Sequence, residues 1–336
     1  MSRKLLTLSL SATLMGGTAH ADTLQVAVDI APVHSLVARV MDGVGMPDLI
    51  IQPGASPHEY SLRPSEAAAL HNSDLVFWIG PDLTPWLTDT IETLAKDASV
   101  TSLLDLDGTV QLDFREGALF EVHDHDDHDD HDDHDKHDDH DDHDEHDDHD
   151  DHDDHDDHDD HDKHDHGDHD PHAWLSPKNA MTWLNVIAGQ LSAADPDNAG
   201  TYFANAAAGR TEIERLISEV TATLDPVRGG RFIVFHDAYQ YFEMDFNFPA
   251  SGAISVSDAS DPGPARITEI RDRISQQGID CVLAEPQFNP DLIATVLDGT
   301  DSRTGIIDPL GSDLEPGASL YRELIRNLST AIASCM

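Results

Sequence analysis

The sequence predicts an α/β protein of two lobes, each a mostly parallel sheet flanked by helices, joined by one long helix. Short apolar runs of strand length alternate with segments of helical periodicity, which is typical of a parallel sheet covered by helices. This alternation occurs twice. Between the two occurrences, the helical pattern from about 197 to 224 is not interrupted by any strand pattern. At 336 residues the chain is long enough for two domains.

The first 21 residues have the organisation of a secretory signal peptide. Arg3 and Lys4 give the positive start, residues 5–15 are mostly apolar, and Ala19-His20-Ala21 is a small-x-small cleavage site. The apolar stretch is too short to span a bilayer, so a membrane anchor is disfavoured. We therefore expect an exported, soluble product.

The first lobe, residues 22–193, starts the strand–helix alternation. The predicted elements are a strand at 24–28, a helix opened by Pro32, a strand at 49–51, a helix over 65–71 started by Pro64, and a strand at 75–79. Residues 52–57 have the Gly and Pro content of a loop, and this loop leads into His58 and Glu59.

Residues 123–170 form a low-complexity segment, here called the acidic run. It holds 17 His, 27 Asp, one Glu, two Lys and one Gly. It contains no apolar residue and cannot bury a core, so we expect a disordered loop. The alternative interpretation is a charged spacer, but a spacer would need only Asp and Glu. The regular histidines therefore favour an interpretation in which the run binds metal ions. The candidate low-affinity metal ligands are His123, His125, His128, His131, His134, His137, His140, His143, His146, His149, His152, His155, His158, His161, His164, His166 and His169.

The net charge of −47 excludes several partners. The run contributes 2 − 28 = −26, so the rest of the chain carries −21. Nucleic acid and anionic membranes are therefore poor partners, whereas divalent metal ions are attracted.

The second half of the chain resumes the alternation. Ser176 is a good N-cap for a helix that begins at Pro177. The long helical segment follows, and we assign residues 194–226 to the connecting helix and 227–336 to the C-terminal lobe. The predicted elements of that lobe are a strand at 232–235, a helix at 267–277 closed by Gly278, strands at 281–284 and 304–307, and a last helix at 319–333.

The chain has two cysteines, Cys281 and Cys335. An even pair in an exported protein usually forms a disulfide, and two free buried thiols are the alternative.

Polar residues that follow predicted strands are the candidate site, because ligands collect at the carboxyl ends of parallel strands. His58, His236, Glu285 and Asp308 are of this kind, and His172 opens the segment that leads into the Ser176 helix. Three neutral imidazoles and one carboxylate suit Zn²⁺. Asp308, Glu59 or water could be the fourth ligand.

Each histidine taken alone also has a structural interpretation. His58 could cap a loop or lie on its surface, and His172 could be the last residue of the acidic run. His236 could be a core histidine at a strand end. His34 and His71 lie inside predicted helices, and we assign both to structure rather than to metal binding.

Five motifs occur in a specific order and together resemble a known family. They are Gly54-Ala55-Ser56-Pro57-His58-Glu59-Tyr60 with Pro64-Ser65, then Asp170-Pro171-His172-Ala173-Trp174-Leu175-Ser176-Pro177, then Phe235-His236-Asp237-Ala238-Tyr239-Gln240-Tyr241-Phe242, then Ala284-Glu285-Pro286-Gln287-Phe288, and last Asp308-Pro309-Leu310-Gly311. This set is similar to the zinc-binding periplasmic component of high-affinity zinc ABC importers, the ZnuA type within the cluster A-I metal-binding proteins. The resemblance covers essentially the whole mature chain.

The resemblance implies a site, a location and partners. His58, His172 and His236 would bind Zn²⁺ in a cleft between the lobes, with Asp308 or Glu59 supplying a carboxylate. The connecting helix would be rigid, and Cys281 and Cys335 would match the C-lobe disulfide of some members. The protein would be a periplasmic monomer that delivers zinc to an inner-membrane permease with a cytoplasmic ATPase. The length and regularity of the acidic run depart from the family pattern and leave open whether it captures, stores or senses metal.

Three alternatives remain open at the level of sequence. A manganese- or iron-binding protein of the same fold would favour harder oxygen ligands than three imidazoles. A periplasmic zinc buffer or chaperone would act without a transporter. A zinc hydrolase is disfavoured, because the sequence has no His-Glu-x-x-His motif and no convincing general base.

Overall fold

The computed structural model describes residues 24–115, 120, 169–255, 263–287 and 290–336. They form two four-stranded parallel sheets flanked by helices, which confirms the predicted fold class. The predicted signal peptide and the acidic run from 123 to 168 lie outside the described residues. Within the described ranges, no helix is both long and apolar enough to cross a membrane.

The first sheet has the strand order β2-β1-β3-β4. Its elements, in chain order, are β1 (Val26–Val28), α1 (Ala31–Val40), β2 (Asp48–Leu49), α2 (Pro64–Asn72), β3 (Leu75–Trp78), α3 (Pro85–Leu94) and β4 (Ser99–Ser102). Every pairing is parallel, so the carboxyl ends of all four strands lie at one edge.

Two long helices connect the sheets. They are α4 (Pro177–Ala194), which follows a short 3₁₀ turn at Ala173–Leu175, and α5 (Ala199–Leu224). The Ser176 hydroxyl accepts a hydrogen bond from the Asn179 amide at 3.1 Å and caps α4 as predicted. Helix α5 spans about 39 Å at 1.5 Å per residue and packs against α1, α4 and the C-terminal helix at Leu320–Cys335.

The second sheet repeats the topology of the first, with the order β6-β5-β7-β8 and only parallel pairs. Its elements are β5 (Phe232–His236), α6 (Gln240–Phe246), β6 (Ala253–Ser255), α7 (Pro264–Gln277), β7 (Cys281–Ala284), α8 (Pro290–Leu297), β8 (Arg303–Ile306) and α9 (Leu320–Cys335). Gly278 ends α7 at a φ of 61°, as its predicted C-cap role requires.

The described residues form two hydrophobic clusters, and the larger one runs through both sheets. Phe232 and Val234 of β5 join the large cluster that also contains the buried faces of α4, α5 and α9. Ile233 and Phe235 face a smaller cluster built from α7 and α8. This division follows from the pleat of a strand, which sends successive side chains to opposite faces. The sheet position that carries His236 is therefore packed on both sides.

Five elements of the described residues were not predicted: α3, β4, α6, β6 and α8. Both strands lie at sheet edges; β4 has one apolar residue in four and β6 is only three residues long, so neither has a clear periodic pattern. The predicted disulfide between Cys281 and Cys335 is present and ties β7 to the end of α9.

Candidate metal centre

The three predicted histidines line one cavity between the two sheets. The cavity measures about 150 Å³, which is below the roughly 300–1,000 Å³ of sites for organic ligands. Its lining residues are Ser56, Pro57, His58, His172, Trp174, His236, Glu285, Gln287, Pro309 and Leu310. A site of this size, lined by imidazoles, is suited to an ion with few waters.

His172 and His236 are spaced as two ligands of one tetrahedral ion. Their Nε2 atoms lie 3.4 Å apart. Two nitrogens at 2.0–2.1 Å from a tetrahedral Zn²⁺ are about 3.3–3.4 Å apart. His172 approaches from the loop before α4 and His236 from the end of β5, so the pair joins the two halves of the chain.

His58 lies slightly farther away, on the loop after β2. Its ring centroid is 5.8 Å from that of His172, whereas the His172 and His236 centroids are 5.3 Å apart. Among the described residues, no group of three or more His, Cys, Asp or Glu side chains is close enough to hold an ion as it stands. His58 is half-buried, whereas the rings of His172 and His236 are buried.

Two buried carboxylates fix the tautomers of the histidine pair. Asp170 Oδ1 accepts a hydrogen bond from His172 Nδ1 at 2.7 Å, and Glu285 Oε1 accepts one from His236 Nδ1 at 2.7 Å. A carboxylate acceptor requires the proton on Nδ1 of the neutral ring, which leaves the Nε2 lone pair for a metal. Both Nε2 atoms therefore present lone pairs at the same place.

Burial also affects the ionisation of the Asp170 carboxyl group. Desolvation raises the pKa of its carboxyl to about 7, and the His172 backbone N–H and the positive charge of Arg115 oppose this shift. A cation held at His172 would favour the ionised carboxylate. The protonation state of Asp170 therefore depends on whether a cation occupies the cavity.

Asp308 follows β8 and has both of its carboxylate oxygens engaged. Oδ1 accepts hydrogen bonds from the Leu310 and Gly311 amides at 2.9 and 3.0 Å. Oδ2 accepts hydrogen bonds from the Ser312 amide and hydroxyl at 2.6 and 2.5 Å, and Gln287 contacts Oδ1 at 3.4 Å. In this arrangement the carboxylate organises the loop after β8 and does not line the cavity.

Glu59, the other candidate carboxylate, is exposed and does not line the cavity. Of the histidines in the acidic run, those from 123 to 166 lie outside the described residues. His169 is described; its Nδ1 lies 3.2 Å from Asp113 Oδ1, and it also does not line the cavity.

The loop that carries His58 is held on both sides of the histidine. Trp86 Nε1 donates to the Pro57 carbonyl at 2.8 Å, and the Tyr60 hydroxyl donates to Glu66 Oε1 at 2.8 Å. The Tyr60 and Trp86 rings also pack against each other, with their centroids 5.9 Å apart. These contacts limit how far His58 can move without unfolding its loop.

The orienting roles of Asp170 and Glu285 were not predicted from the sequence. Glu285 appeared as a polar residue after a strand, Asp170 appeared as the end of the acidic run, and both occur in the family motifs without an assigned role. The signal for Asp170 was its place two residues before His172. The signal for Glu285 was its place after β7, the neighbour of the strand that ends in His236.

Comparison with known proteins identifies relatives along nearly the full length. The family model described as "Zinc-uptake complex component A periplasmic" matches residues 26–335. A Brucella abortus (strain 2308) protein named "High-affinity zinc uptake system protein ZnuA" is 49% identical over 311 residues, covering 93% of this chain and 91% of the relative. A protein of the same name from Paracoccus denitrificans is 47% identical over 319 residues, covering 95% and 93%.

Solved structures share the fold at low sequence identity. A zinc-bound ZnuA deletion mutant has a TM-score of 0.69 at 21% identity, covering 94% of this chain and 98% of that one. The Pseudomonas aeruginosa protein FpvC in complex with Mn²⁺ has a TM-score of 0.71 at 17% identity, covering the same fractions.

The family match covers the whole described fold, and several relatives exceed 30% identity over more than nine-tenths of the chain. The family is defined by zinc uptake rather than by a catalysed reaction. This chain belongs to the ZnuA family of periplasmic zinc-uptake components.

Proposed function

We propose that this protein binds Zn²⁺ with high affinity in the periplasm and delivers it to an ABC permease for import. The metal ligands are His58, His172 and His236. The observation that carries this proposal is the 3.4 Å separation between the Nε2 atoms of His172 and His236. In each of these rings the other nitrogen, Nδ1, is hydrogen-bonded to a buried carboxylate. That arrangement fits a tetrahedral ion with nitrogen ligands.

Binding completes the site through a small movement of His58. Its ring closes toward the His172–His236 pair, and the fourth position is filled by water or by a carboxylate of Glu59 or Asp308. The five hydrogen-bond contacts of Asp308 favour water or Glu59, because Asp308 would have to break several of them to reach the ion.

The N-terminal sequence and the family support a periplasmic location. Residues 1–21 act as a cleavable signal, and the mature monomer has an N-terminal lobe at 22–193, a connecting helix at 194–226 and a C-terminal lobe at 227–336. Its partner is an inner-membrane permease with a cytoplasmic ATPase. The zinc-uptake names of the relatives support this assignment.

The acidic run, residues 123–170, acts as a low-affinity collector of divalent metal ions. Its carboxylates concentrate cations, and its imidazoles bind them weakly at many overlapping positions. The run ends two residues before His172, so a collected ion has a short path to the cavity.

The test of the cavity as the zinc site is a set of alanine substitutions. His58→Ala, His172→Ala and His236→Ala should each weaken the tightest Zn²⁺ binding measured by competition with a chromophoric chelator. His71→Ala is the matched control, since His71 is exposed and contacts the Leu94 carbonyl on α3 instead. Unchanged affinity in all three site variants would refute the assignment.

A manganese-binding function is the second candidate, because a neighbour of the same fold was solved with Mn²⁺. Three nitrogen ligands favour zinc over manganese. Competition between Zn²⁺ and Mn²⁺ for the apo protein decides between them, and preference for Mn²⁺ would overturn the zinc proposal. A stand-alone zinc buffer would bind the same ion but would fail to stimulate the ATPase of a reconstituted permease.

A further inference from the structure

Two antiparallel segments lie beside the metal centre, and we call them the stem: residues 112–115 and 169–170. Asp113 and His169 form an antiparallel bridge, and the Asp170 amide donates to the Leu112 carbonyl at 2.8 Å. Asp170 is also the residue that orients His172. The position of the stem therefore influences the position of a proposed ligand.

Tyr241 of α6 holds both segments of the stem with one hydroxyl. Its oxygen accepts a hydrogen bond from the Leu112 amide at 3.0 Å and donates one to the Asp170 carbonyl at 2.7 Å. The side chain is fully buried, at 0% exposure, so water cannot replace either bond if the hydroxyl is removed.

Arg115, at the other end of the stem, is held between two carboxylates of the second lobe. Its guanidinium donates from Nε to Asp237 at 3.0 Å and from Nη1 to Glu243 at 2.8 Å. Asp237 directly follows His236, and Glu243 lies on α6. Both carboxylates are largely buried, so this ion pair is screened less than a surface pair.

These contacts link the surroundings of one ligand to those of the other. The stem carries the residue that orients His172, and the groups that hold the stem lie on the loop and helix that follow His236. We propose that Tyr241 and Arg115, together named the interlobe clasp, are positioning residues that set the separation between the Nε2 atoms of His172 and His236.

The inference rests on the proposed zinc site and extends it. A tetrahedral ion tolerates only small errors in ligand spacing, and partners outside the ligand set typically change metal affinity by 10–100-fold. A merely structural role for the clasp would change the stability of the apo protein without changing the geometry around the ion.

The chain offers matched controls for both residues. Tyr202 is also fully buried and donates a hydrogen bond from its hydroxyl to Asp195 at 2.8 Å. It lines a separate cavity together with Leu24, which precedes β1. Arg39 makes a two-bond, partly buried pair with Glu212 between α1 and α5. Neither control residue lines the metal cavity.

The experiment compares Tyr241→Phe with Tyr202→Phe and Arg115→Gln with Arg39→Gln in the full mature chain. The readouts are Zn²⁺ affinity by chelator competition, the visible absorption bands of the Co²⁺-loaded protein, and the thermal midpoint of the apo protein. We expect the two clasp variants to lose about tenfold in Zn²⁺ affinity and to shift the Co²⁺ bands. The controls should change only the thermal midpoint.

Wild-type affinity and an unshifted Co²⁺ spectrum in both clasp variants would overturn the inference. If Tyr241→Phe does not fold, Arg115→Lys carries the test, since it keeps the charge but loses the two-sided guanidinium contact. The proposed function fails separately, if His172→Ala binds Zn²⁺ as tightly as the wild type. Loss of binding in His172→Ala with unchanged clasp variants rejects the clasp alone.

Discussion

His236 and Glu285 meet at the point where the strand order of the second sheet reverses, with Nδ1 2.7 Å from the carboxylate oxygen Oε1. His236 ends β5, and Glu285 follows β7, its parallel neighbour. Ligand sites of open α/β sheets lie at such switch points, outside the carboxyl ends of the strands. The histidine is thus held by the topology of the sheet.

Removal of the Glu285 carboxylate should weaken zinc binding without removing a ligand. We expect Glu285→Ala to lower Zn²⁺ affinity by roughly 10–100-fold, because His236 loses the group that fixes its tautomer and orientation. Glu285→Gln should lose less, since its amide oxygen can still accept from Nδ1. Chelator competition measures both, with the exposed Glu219→Ala as control. Equal affinity of Glu285→Ala and wild type would contradict the orienting role.

Deletion of residues 123–168 should leave the tightest zinc site intact. The three proposed ligands lie outside the deletion, and the stem residues His169 and Asp170 remain. Calorimetry should therefore show fewer weak sites and one unchanged tight site. A second variant, with every histidine of the run replaced by asparagine, separates imidazole binding from charge. Loss of the tight site on deletion would refute the cavity assignment.

The stability of the apo protein should depend on His34 below pH 6.5. Burial lowers the pKa of His34, while the Pro47 carbonyl and the Asp48 charge oppose the shift. The folded state therefore resists protonation, whereas the unfolded chain takes up a proton near its ordinary pKa of about 6.5. The contribution of neutral His34 to the free energy of unfolding is therefore complete above about pH 6.5 and is lost as the pH falls below that value. Denaturant unfolding at several pH values should show this slope, and His34→Gln should reduce it. An identical pH profile for the two proteins would contradict the assignment.

Asp29 should act in the opposite direction. It lies after β1 with its carboxylate accepting the Ile30 and Ile79 amides at 2.7 Å each, and burial raises its pKa to about 7. Because the pKa of Asp29 is higher in the folded state than its unfolded value of about 3.9, its proton binding stabilises the folded state. This stabilisation is complete below about pH 3.9 and is lost as the pH rises through about 7. The slope is at most about 1.4 kcal/mol per pH unit.

Unfolding of Asp29→Asn over this pH range checks the prediction. The variant loses an acceptor for one amide and should be less stable at low pH, but its stability should decline less as the pH rises. The exposed Asp42→Asn is the control. A wild-type slope in Asp29→Asn would show that another group titrates.

The disulfide between Cys281 and Cys335 should contribute substantially to stability. The two residues are 54 apart in sequence, so the chain-entropy model predicts a loss on the order of 4 kcal/mol when the bridge is removed. The Cys281→Ala/Cys335→Ala double variant tests this by denaturant unfolding, with the reduced wild type as comparison. A double variant as stable as the oxidised wild type would contradict the model.

Much of the fold was readable in the sequence because its signals are local. The cap at Ser176, the stop at Gly278 and the apolar strand that ends in His236 depend on neighbouring residues and on a period of 2 or 3.6. The edge strands β4 and β6 gave no such signal, since β4 has a single apolar residue, β6 has only three residues, and the pairing of each depends on the strand beside it.

The sequence by itself determined the two-lobe α/β class, the candidate histidines and the ordered motifs that place the chain in its family. Only the tertiary structure decided which nitrogen of each imidazole faces the cavity and that Asp170 and Glu285 hold the opposite nitrogens. It also decided that both carboxylate oxygens of Asp308 accept hydrogen bonds from residues 310–312 of its own loop. The reason is physical: His172 and His236 are 64 residues apart, and hydrogen-bond direction and spacing at such separation arise only when the sheets and helices pack.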